Sequence, residues 1–384
     1  MAASLPTIRY GLRPTRSGIA RLTVGLAIAA SFFGGEMCAW AANGAPRFMI
    51  EATVHGRRIE GAPLSWSAGK VWLLARDGRL WDFAPQEATD FRKTASYFAP
   101  YSAREITALL QLELGRRFDV SSTAHYLVCH PPGQAVDWGE RFEQMFRQFG
   151  HYFSVRGLNL RQPDMPMVAI VFTSRTDFLH YSMGDGFRPG PEVLGYYSPR
   201  TNRVAMYDGS ELQSQGPRGD WRQSAAMLVH EAAHQAAFNT GIHSRLNSPP
   251  QWLAEGLATL FEARGVWNSD QYRKLSDRVN QSRLADFRRF ASGHPSPDWI
   301  QSLVSSDRPF TMDVAGAYAE SWALTFYLSE KQPAAYSKYL ATTAARPAFR
   351  TVDATDRVAD FSHCFGDDWR MLDARVRRFL ADLR

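Results

Sequence analysis

Short apolar runs separated by turn signals predict strands over the first part of the chain. Three such runs cover residues 48–54, 71–75 and 80–83. An Asp77-Gly78 pair lies between the second and third runs, and an Asp-Gly pair between apolar runs is a strong hairpin signal. The pattern predicts a small all-β module over residues 47–100. Its residues suggest no chemistry, so we expect a structural or docking role.

The next segment alternates between strand and helix patterns. Residues 125–129 and the β-branched run 167–172 predict strands, and apolar positions at helical spacing predict a helix over 138–153. Residues 193–197 and 203–207 flank a short turn, which predicts a hairpin. Gly-rich residues 183–190 and 209–219 predict loops.

From Asp220 onward the pattern is helical. Asp220 and Gln223 have the spacing of a capping box, and Gly241 is a stop signal, so a helix is predicted over about 221–239. This helix and the next one belong to an α/β part, which we place over residues 105–265.

A second helix is predicted over residues 248–263. Ser248 is the expected N-cap, Pro249 the first helical residue, and Gln251 the partner in a second capping box. A helical C-terminal lobe is predicted over 266–384, with helices over 271–290, 314–329, 334–342 and 367–383. The fold class is therefore α+β.

The N-terminus has the pattern of a secretory signal peptide. Residues 1–21 carry four arginines and no acid, residues 22–33 are apolar, and Ala39-Trp40-Ala41 is an A-x-A site. We predict a signal peptide over 1–41 with cleavage near Ala41/Ala42, and a periplasmic or secreted protein with no stable membrane span after its removal. The alternative is an uncleaved anchor.

The composition indicates which kind of protein this is. With 45% hydrophobic and 13% aromatic residues, the 384-residue chain can bury a large core. The formal net charge of +6 is mild, and basic runs do not interleave with aromatics, so we expect no nucleic-acid partner. Cys129 and Cys364 would remain after cleavage, and they are either one disulfide or two unpaired thiols.

The predicted helix over 221–239 contains an H-E-x-x-H motif. His230 and His234 are four residues apart and so share one helix face, where two imidazoles can bind one zinc ion. Glu231 then lies beside a metal-bound water. The motif alone is a weak signal, because a catalytic zinc site needs a third protein ligand.

Glu255 is the candidate third ligand. The position that would hold a third histidine in the longer H-E-x-x-H-x-x-G-x-x-H motif is Thr240, which excludes that class; His243 lies nearby at the wrong spacing. A second helix packed beside the first would bring Glu255 to the histidines, and Gly256 would permit close helix approach. The alternative for Glu255 is a solvated helix acid.

The residues HEAAHQ at 230–235, followed by PPQWLAEGLATLFE at 249–262, resemble the gluzincin zinc metallopeptidases of the thermolysin-like superfamily. The W-L-A-E-G-L-A wording is most similar to the MA-like peptidase families of bacterial exported proteins. The resemblance covers about residues 165–330 and, weakly, 365–369. It implies a gluzincin catalytic domain with a mixed sheet whose edge strand borders the cleft, a zinc helix and a helical lobe. The β module resembles the small SH3-like domain found ahead of some exported enzymes.

The resemblance also implies a mechanism. One zinc would activate a water, and Glu231 would act as the general base. Tyr318, in a Y-x-x-S-W segment, is similar to the tyrosine that gluzincins use to stabilise the oxyanion; the alternative is a packing tyrosine. The thermolysin type has an aspartate that supports a histidine ligand. This chain has Thr259 at that position, with Glu262 one turn further, so the resemblance does not identify the residue that supports the histidine.

These observations predict an exported zinc-dependent metallopeptidase that acts on a peptide or protein substrate. Two alternatives remain: a zinc-binding envelope scaffold or binding protein without proteolysis, and an amidase on cell-wall material. The sequence specifies neither the substrate and its cleavage specificity nor the role of the β module. It also leaves the oligomeric state undetermined.

Overall fold

The chain folds as a mixed α+β protein with an N-terminal five-stranded sheet, a second mixed sheet and many helices. This computed structural model describes residues 48–133, 136–191, 193–208, 221–269, 271–293 and 298–383, without the side chains of 221–224 and 291–293. The predicted signal peptide, the predicted loop at 209–219 and Asp220 of the predicted capping box lie outside these residues. No described helix is both long and apolar enough to cross a membrane.

The N-terminal sheet is antiparallel, in the order β4-β3-β2-β1-β5. The predicted hairpin around the Asp77-Gly78 turn is confirmed, and Gly78 has φ +86°, a conformation that glycine adopts without strain. The SH3-like form and the domain boundaries stay predictions. The strands are β1 Met49–Val54, β2 Arg57–Trp66, β3 Val71–Ala75, β4 Leu80–Phe83 and β5 Ala88–Ala95.

The second sheet is mixed, in the order β6-β7-β8-β10-β9. Strands β7, β8 and β10 are parallel, while β6 and β9 pair antiparallel at the two edges. All residues of β8 and β10 are buried, which explains their continuous apolar runs. The strands are β6 Asp119–Ser122, β7 Tyr126–His130, β8 Met167–Phe172, β9 Gly195–Ser198 and β10 Arg203–Tyr207.

Helices surround the mixed sheet and form the C-terminal part of the chain. The single helix predicted over 271–290 is wrong: a 3-10 turn at Leu275–Arg278 precedes a shorter helix. The predicted loop at 183–190 begins inside a helix that ends at Gly184. The helices before the metal-ligand region are α1 Ala103–Leu114, α2 Trp138–Ser154 and α3 Arg175–Gly184.

Two helices that carry candidate ligands follow, and we name them the histidine helix (α4, Trp221–Thr240) and the glutamate helix (α5, Gln251–Phe261). Both contribute to one large apolar cluster with α2 and the later helices. The later helices are α6 Arg264–Trp267, α7 Gln281–Gly293, α8 Trp299–Ser305, α9 Pro309–Met312, α10 Val314–Lys331, α11 Pro333–Ala344, α12 Ala354–Phe365 and α13 Trp369–Ala381.

The two cysteines that the sequence left open are both free thiols. Cys129 is buried in β7 and Cys364 is partly buried near the end of α12. Burial raises the pKa of Cys129 to about 12, so this thiol stays protonated and acts as a small core residue.

Candidate metal centre

The histidine helix presents His230 and His234 on one face, as the motif predicted, and both side chains are almost fully buried. Gln235 ties this helix to the mixed sheet. Its side-chain amide donates to the carbonyl oxygens of Val168 on β8 and Asn202 beside β10, at 3.0 and 2.9 Å. Because a buried amide needs such partners, the pair of bonds fixes how the helix lies on the sheet.

The glutamate helix begins differently from the prediction. Ser248 is exposed and is not the N-cap; Pro250 occupies that position and makes no side-chain capping bond. The reason is steric, since the residue before a proline is disfavoured in the helical region, which keeps Pro249 out of the helix. The acceptor for the Gln251 N–H is instead the carboxylate of Asp307, at 3.0 Å.

Gly256 allows the glutamate helix to approach α10 closely. A Cβ atom on Gly256 would lie 2.2 Å from Oγ1 of Thr325 and 2.6 Å from the carbonyl oxygen of Ser321. The sequence predicted a close helix approach at this glycine, and the structure places α10 on the opposing side. This contact fixes the position of Glu255 relative to the two histidines.

The three predicted ligands converge on one point. The Nε2 atoms of His230 and His234 are 3.2 Å apart, and Oε2 of Glu255 lies 3.3 Å from the first and 3.5 Å from the second. In a tetrahedral site with zinc–ligand distances of about 2.0–2.2 Å, ligand atoms are roughly 3.3–3.5 Å apart. The donors therefore have the type and spacing of one face of a zinc tetrahedron, and this group could hold a metal ion.

Glu255 supplies a second observation in favour of a metal. Its side chain is completely buried, with the Nε2 atoms of the two histidines beside Oε2. A buried carboxylate is costly unless a cation compensates its charge. Burial alone would raise the pKa of Glu255, but the two histidines outweigh it and lower the pKa well below its usual range. The fit to a divalent cation thus rests on geometry and on donor chemistry.

Glu262 supports the first histidine. Nδ1 of His230 lies 2.9 Å from Oε1 of Glu262, and Nδ2 of Asn280 donates to Oε2 of the same carboxylate at 2.7 Å. This bond leaves Nε2 of His230 as the ligand nitrogen, an arrangement common to metal-binding histidines. Thr259 is at the position where the thermolysin type has its aspartate, and its hydroxyl donates within its own helix, to the carbonyl oxygens of Glu255 and Gly256.

Glu231 lies beside the three ligands and is also buried. Its Oε2 atom has no hydrogen-bond partner among the described residues. Gly195 on the edge strand β9 faces it so closely that a Cβ there would be 3.3 Å from Cγ of Glu231. Burial raises the pKa of Glu231, against the lowering effect of the neighbouring histidines, and a raised carboxylate pKa makes a better base near neutral pH.

Tyr318 is placed in the same site by α10. Its side chain is buried, its ring packs edge-on against Phe310, and the guanidinium of Arg283 lies 5.2 Å from the ring centroid. Burial and the charge of neighbouring Glu255 raise the pKa of Tyr318 well above its usual range. The hydroxyl therefore keeps its proton and can act as a hydrogen-bond donor.

His243 does not join the ligand group. It lies in the connection between the two ligand helices, and its side chain is buried. Burial and the nearby charge of His234 lower the pKa of His243 to about 3, so its ring is neutral.

A family model and several solved structures match the chain. The family model is described as a protein of unknown function (DUF1570) and matches residues 224–350, which include the candidate ligands on both helices, while no curated protein matches the chain. Among solved structures, an M1 zinc metallopeptidase from Deinococcus radiodurans is 19% identical with a TM-score of 0.37, covering 69% of this chain and 51% of that one. A mutant of it bound to a Tyr-Ser-Ala substrate is 19% identical with a TM-score of 0.38, covering 68% and 51%. The chain thus spans about half the length of these structures, and similarity at this level leaves the activity to be argued from the site.

Proposed function

We propose that the chain is an exported zinc-dependent metallopeptidase of the gluzincin type, with the MA-like peptidases of bacterial exported proteins as its nearest group. The observation that carries the proposal is the triangle of ligand atoms on His230, His234 and Glu255 beside Glu231, whose Oε2 atom has no hydrogen-bond partner among the described residues. A third ligand from a separate helix, together with an adjacent base, is the arrangement that catalytic zinc hydrolases use.

His230, His234 and Glu255 would hold one zinc ion. When bound, zinc lowers the pKa of a water ligand and polarises a carbonyl oxygen. Glu262 keeps His230 in the tautomer that offers Nε2, so the chain supplies the orientation as well as the donors.

Glu231 would act as the general base. Its carboxylate accepts a proton from the attacking water as the new C–O bond forms, and it then delivers that proton to the nitrogen, which leaves as the amine when the C–N bond breaks. Burial raises the pKa of Glu231, which makes its carboxylate a stronger base for the first step.

Tyr318 would stabilise the oxyanion as a hydrogen-bond donor. A protonated hydroxyl near the ligand group can donate to the carbonyl oxygen as negative charge develops on it. Among the described residues β9 lies at the edge of the mixed sheet and borders Glu231, so an extended peptide can pair with its main chain. Main-chain pairing favours a protease with a loose sequence preference.

Metal analysis tests the site first. We expect one zinc per chain in the purified protein and its loss in the His230→Ala variant. Absence of zinc in the wild type would remove the basis of the whole proposal.

Cleavage profiling of a proteome then tests the activity. Wild type should produce cleavage sites that the Glu231→Gln variant does not, while that variant retains its zinc. Identical profiles with zinc present would favour the envelope scaffold, and hydrolysis of amide bonds only in cell-wall material would favour the amidase.

The proposed export of the protein includes removal of the predicted signal peptide over residues 1–41. N-terminal sequencing of the protein from the periplasm or medium should start at Ala42. A mature protein that keeps residues 1–41 would support the membrane anchor instead.

A further inference from the structure

The hairpin that borders the proposed cleft is held from two sides. Its turn, residues 199–202 between β9 and β10, contacts the histidine helix on the inner side through Asn202. The side-chain amides of Asn202 and Asn239 exchange two hydrogen bonds, each of 2.8 Å, and the Tyr197 hydroxyl also donates to Asn202 at 2.8 Å. These hydrogen bonds therefore attach the inner side of the turn to the histidine helix.

The outer side of the same turn is held by Arg245 and by the N-terminal sheet. Nε of Arg245 donates to the carbonyl oxygen of Pro199 at 2.7 Å, and Nη2 donates to those of Gly78 at 2.7 Å and Arg200 at 3.3 Å. The N–H of Leu80 donates to the carbonyl oxygen of Arg200 at 2.7 Å. One guanidinium thus joins the Asp77-Gly78 turn of the N-terminal sheet to the turn of the cleft hairpin.

Arg245 is itself held firmly, because it lies in the short connection between the two ligand helices. The N–H of Phe349 donates to the carbonyl oxygen of Leu246 at 2.8 Å, and the Phe349 ring stacks on Trp72 of β3 with centroids 4.7 Å apart. The N-terminal sheet therefore touches the connection on one side and the hairpin turn on the other.

We propose that Arg245, acting with the Asp77-Gly78 turn, is a positioning residue that holds edge strand β9 in place for peptide binding. This inference rests on the proposed function, and it gives the N-terminal sheet a role in the cleft. Since Gly195 of β9 lies against Glu231, movement of the hairpin changes where a paired peptide lies relative to the base. The hydrogen bonds that Arg245 makes to described residues go to main-chain carbonyls, so it acts through the hairpin and does not take part in the chemistry.

Hydrogen exchange tests the positioning without any need for activity. In the full-length zinc-loaded protein, Arg245→Met should speed exchange of the amides in 195–207 by about tenfold, since removing the guanidinium frees the turn. Arg288→Met is the matched control, because Nη2 of Arg288 also donates to two main-chain carbonyls, those of Leu380 and Leu383, but in the helical lobe. Unchanged exchange in 195–207, or an equal increase there in both variants, would overturn the proposal.

Steady-state kinetics then separates positioning from general damage. With a fluorogenic peptide built on the most frequent sequence from cleavage profiling, R245M should raise KM roughly fivefold and leave kcat within about twofold. The conservative R245K, which retains one donor group, should fall between wild type and R245M, and R288M should match wild type. A loss in kcat alone would contradict the inference. If the wild type cleaves nothing, the proposed function fails, and the exchange experiment still decides whether Arg245 holds β9.

Discussion

The histidine helix and the glutamate helix bring their ligands to the same point through different kinds of contact. The histidine helix lies on the mixed sheet, and polar side chains such as Gln235 and Asn239 fix it there. The glutamate helix lies against α10, where Gly256 removes the side chain that would keep the two helices apart.

This difference predicts different responses to substitution. Hydrogen bonds to a sheet are lost one at a time, each at a modest free-energy change. A close helix contact cannot yield by a small amount, because main-chain atoms of Ser321 oppose Gly256 beside the Thr325 side chain, and the core around them is densely packed. We therefore expect the glutamate helix to be the more sensitive side of the metal centre.

The largest effect is expected for Gly256→Ala. The new Cβ would overlap Ser321 and Thr325, so we expect a loss of about 3 kcal/mol in the free energy of unfolding, measured by urea denaturation, together with weaker zinc binding. Gly150→Ala is the control, because Gly150 lies inside α2 with open space around it and should be neutral or slightly stabilising. Equal stability of the two variants would show that the close contact does not matter.

The next effect is expected at Glu262, which supports the first histidine from beyond the end of the glutamate helix. Glu262→Ala removes the acceptor for Nδ1 of His230, and we expect zinc affinity to fall about 10–100-fold in a chelator competition assay. Glu113→Gln, which removes the charge that pairs with Arg203 elsewhere, should leave the affinity unchanged. Wild-type affinity in the Glu262 variant would mean that His230 needs no support.

A comparable test of the histidine side is Gln235→Met. This change leaves the carbonyl oxygens of Val168 and Asn202 without their donor, and we expect a loss of about 2 kcal/mol in thermal or urea unfolding. The same substitution at Gln301, which is exposed on α8, should change stability by less than about 0.5 kcal/mol. A loss larger than that of Gly256→Ala would reverse the comparison of the two helices.

The smallest effect concerns the start of the glutamate helix. Asp307→Ala removes the acceptor of the Gln251 N–H, and we expect a loss of about 1 kcal/mol in the free energy of unfolding. Ser248→Ala should have no measurable effect, since Ser248 is exposed and is not the cap. If only the Ser248 variant were destabilised, the result would support the predicted capping box at Ser248 over the Asp307 contact.

Signals that are local in the chain allowed the sequence to predict much of this structure. The H-E-x-x-H motif lies within one helix, β8 is a continuous apolar run, and the Asp77-Gly78 turn joins neighbouring strands. Strands β2 and β5 were not predicted, because β2 begins with two arginines and β5 is exposed along most of its length, which hides the alternation of a half-buried strand.

The parts of the site that were missed depend on distant segments. Asn280 and Asp307 come close to the glutamate helix because of how the C-terminal helices pack. No sequence pattern around these two residues predicts their hydrogen bonds to Glu262 and Gln251. Glu262 was noted in the sequence, but its bond to His230 depends on how the two ligand helices cross. The wrong N-cap at Ser248 had a local signal, since Pro250 already disfavours a helical Pro249.

The remote contacts of the glutamate helix bear on the order in which the protein assembles. Synthesis proceeds from the N-terminus, so the two histidines and the sheet beneath them emerge before Asp307 and before Ser321 and Thr325 of α10. A nascent chain that ends before α10 can place two ligands, while the helix with the third ligand has no surface to settle against. We expect the ability to retain zinc to arise late in chain growth, well after both sheets have formed.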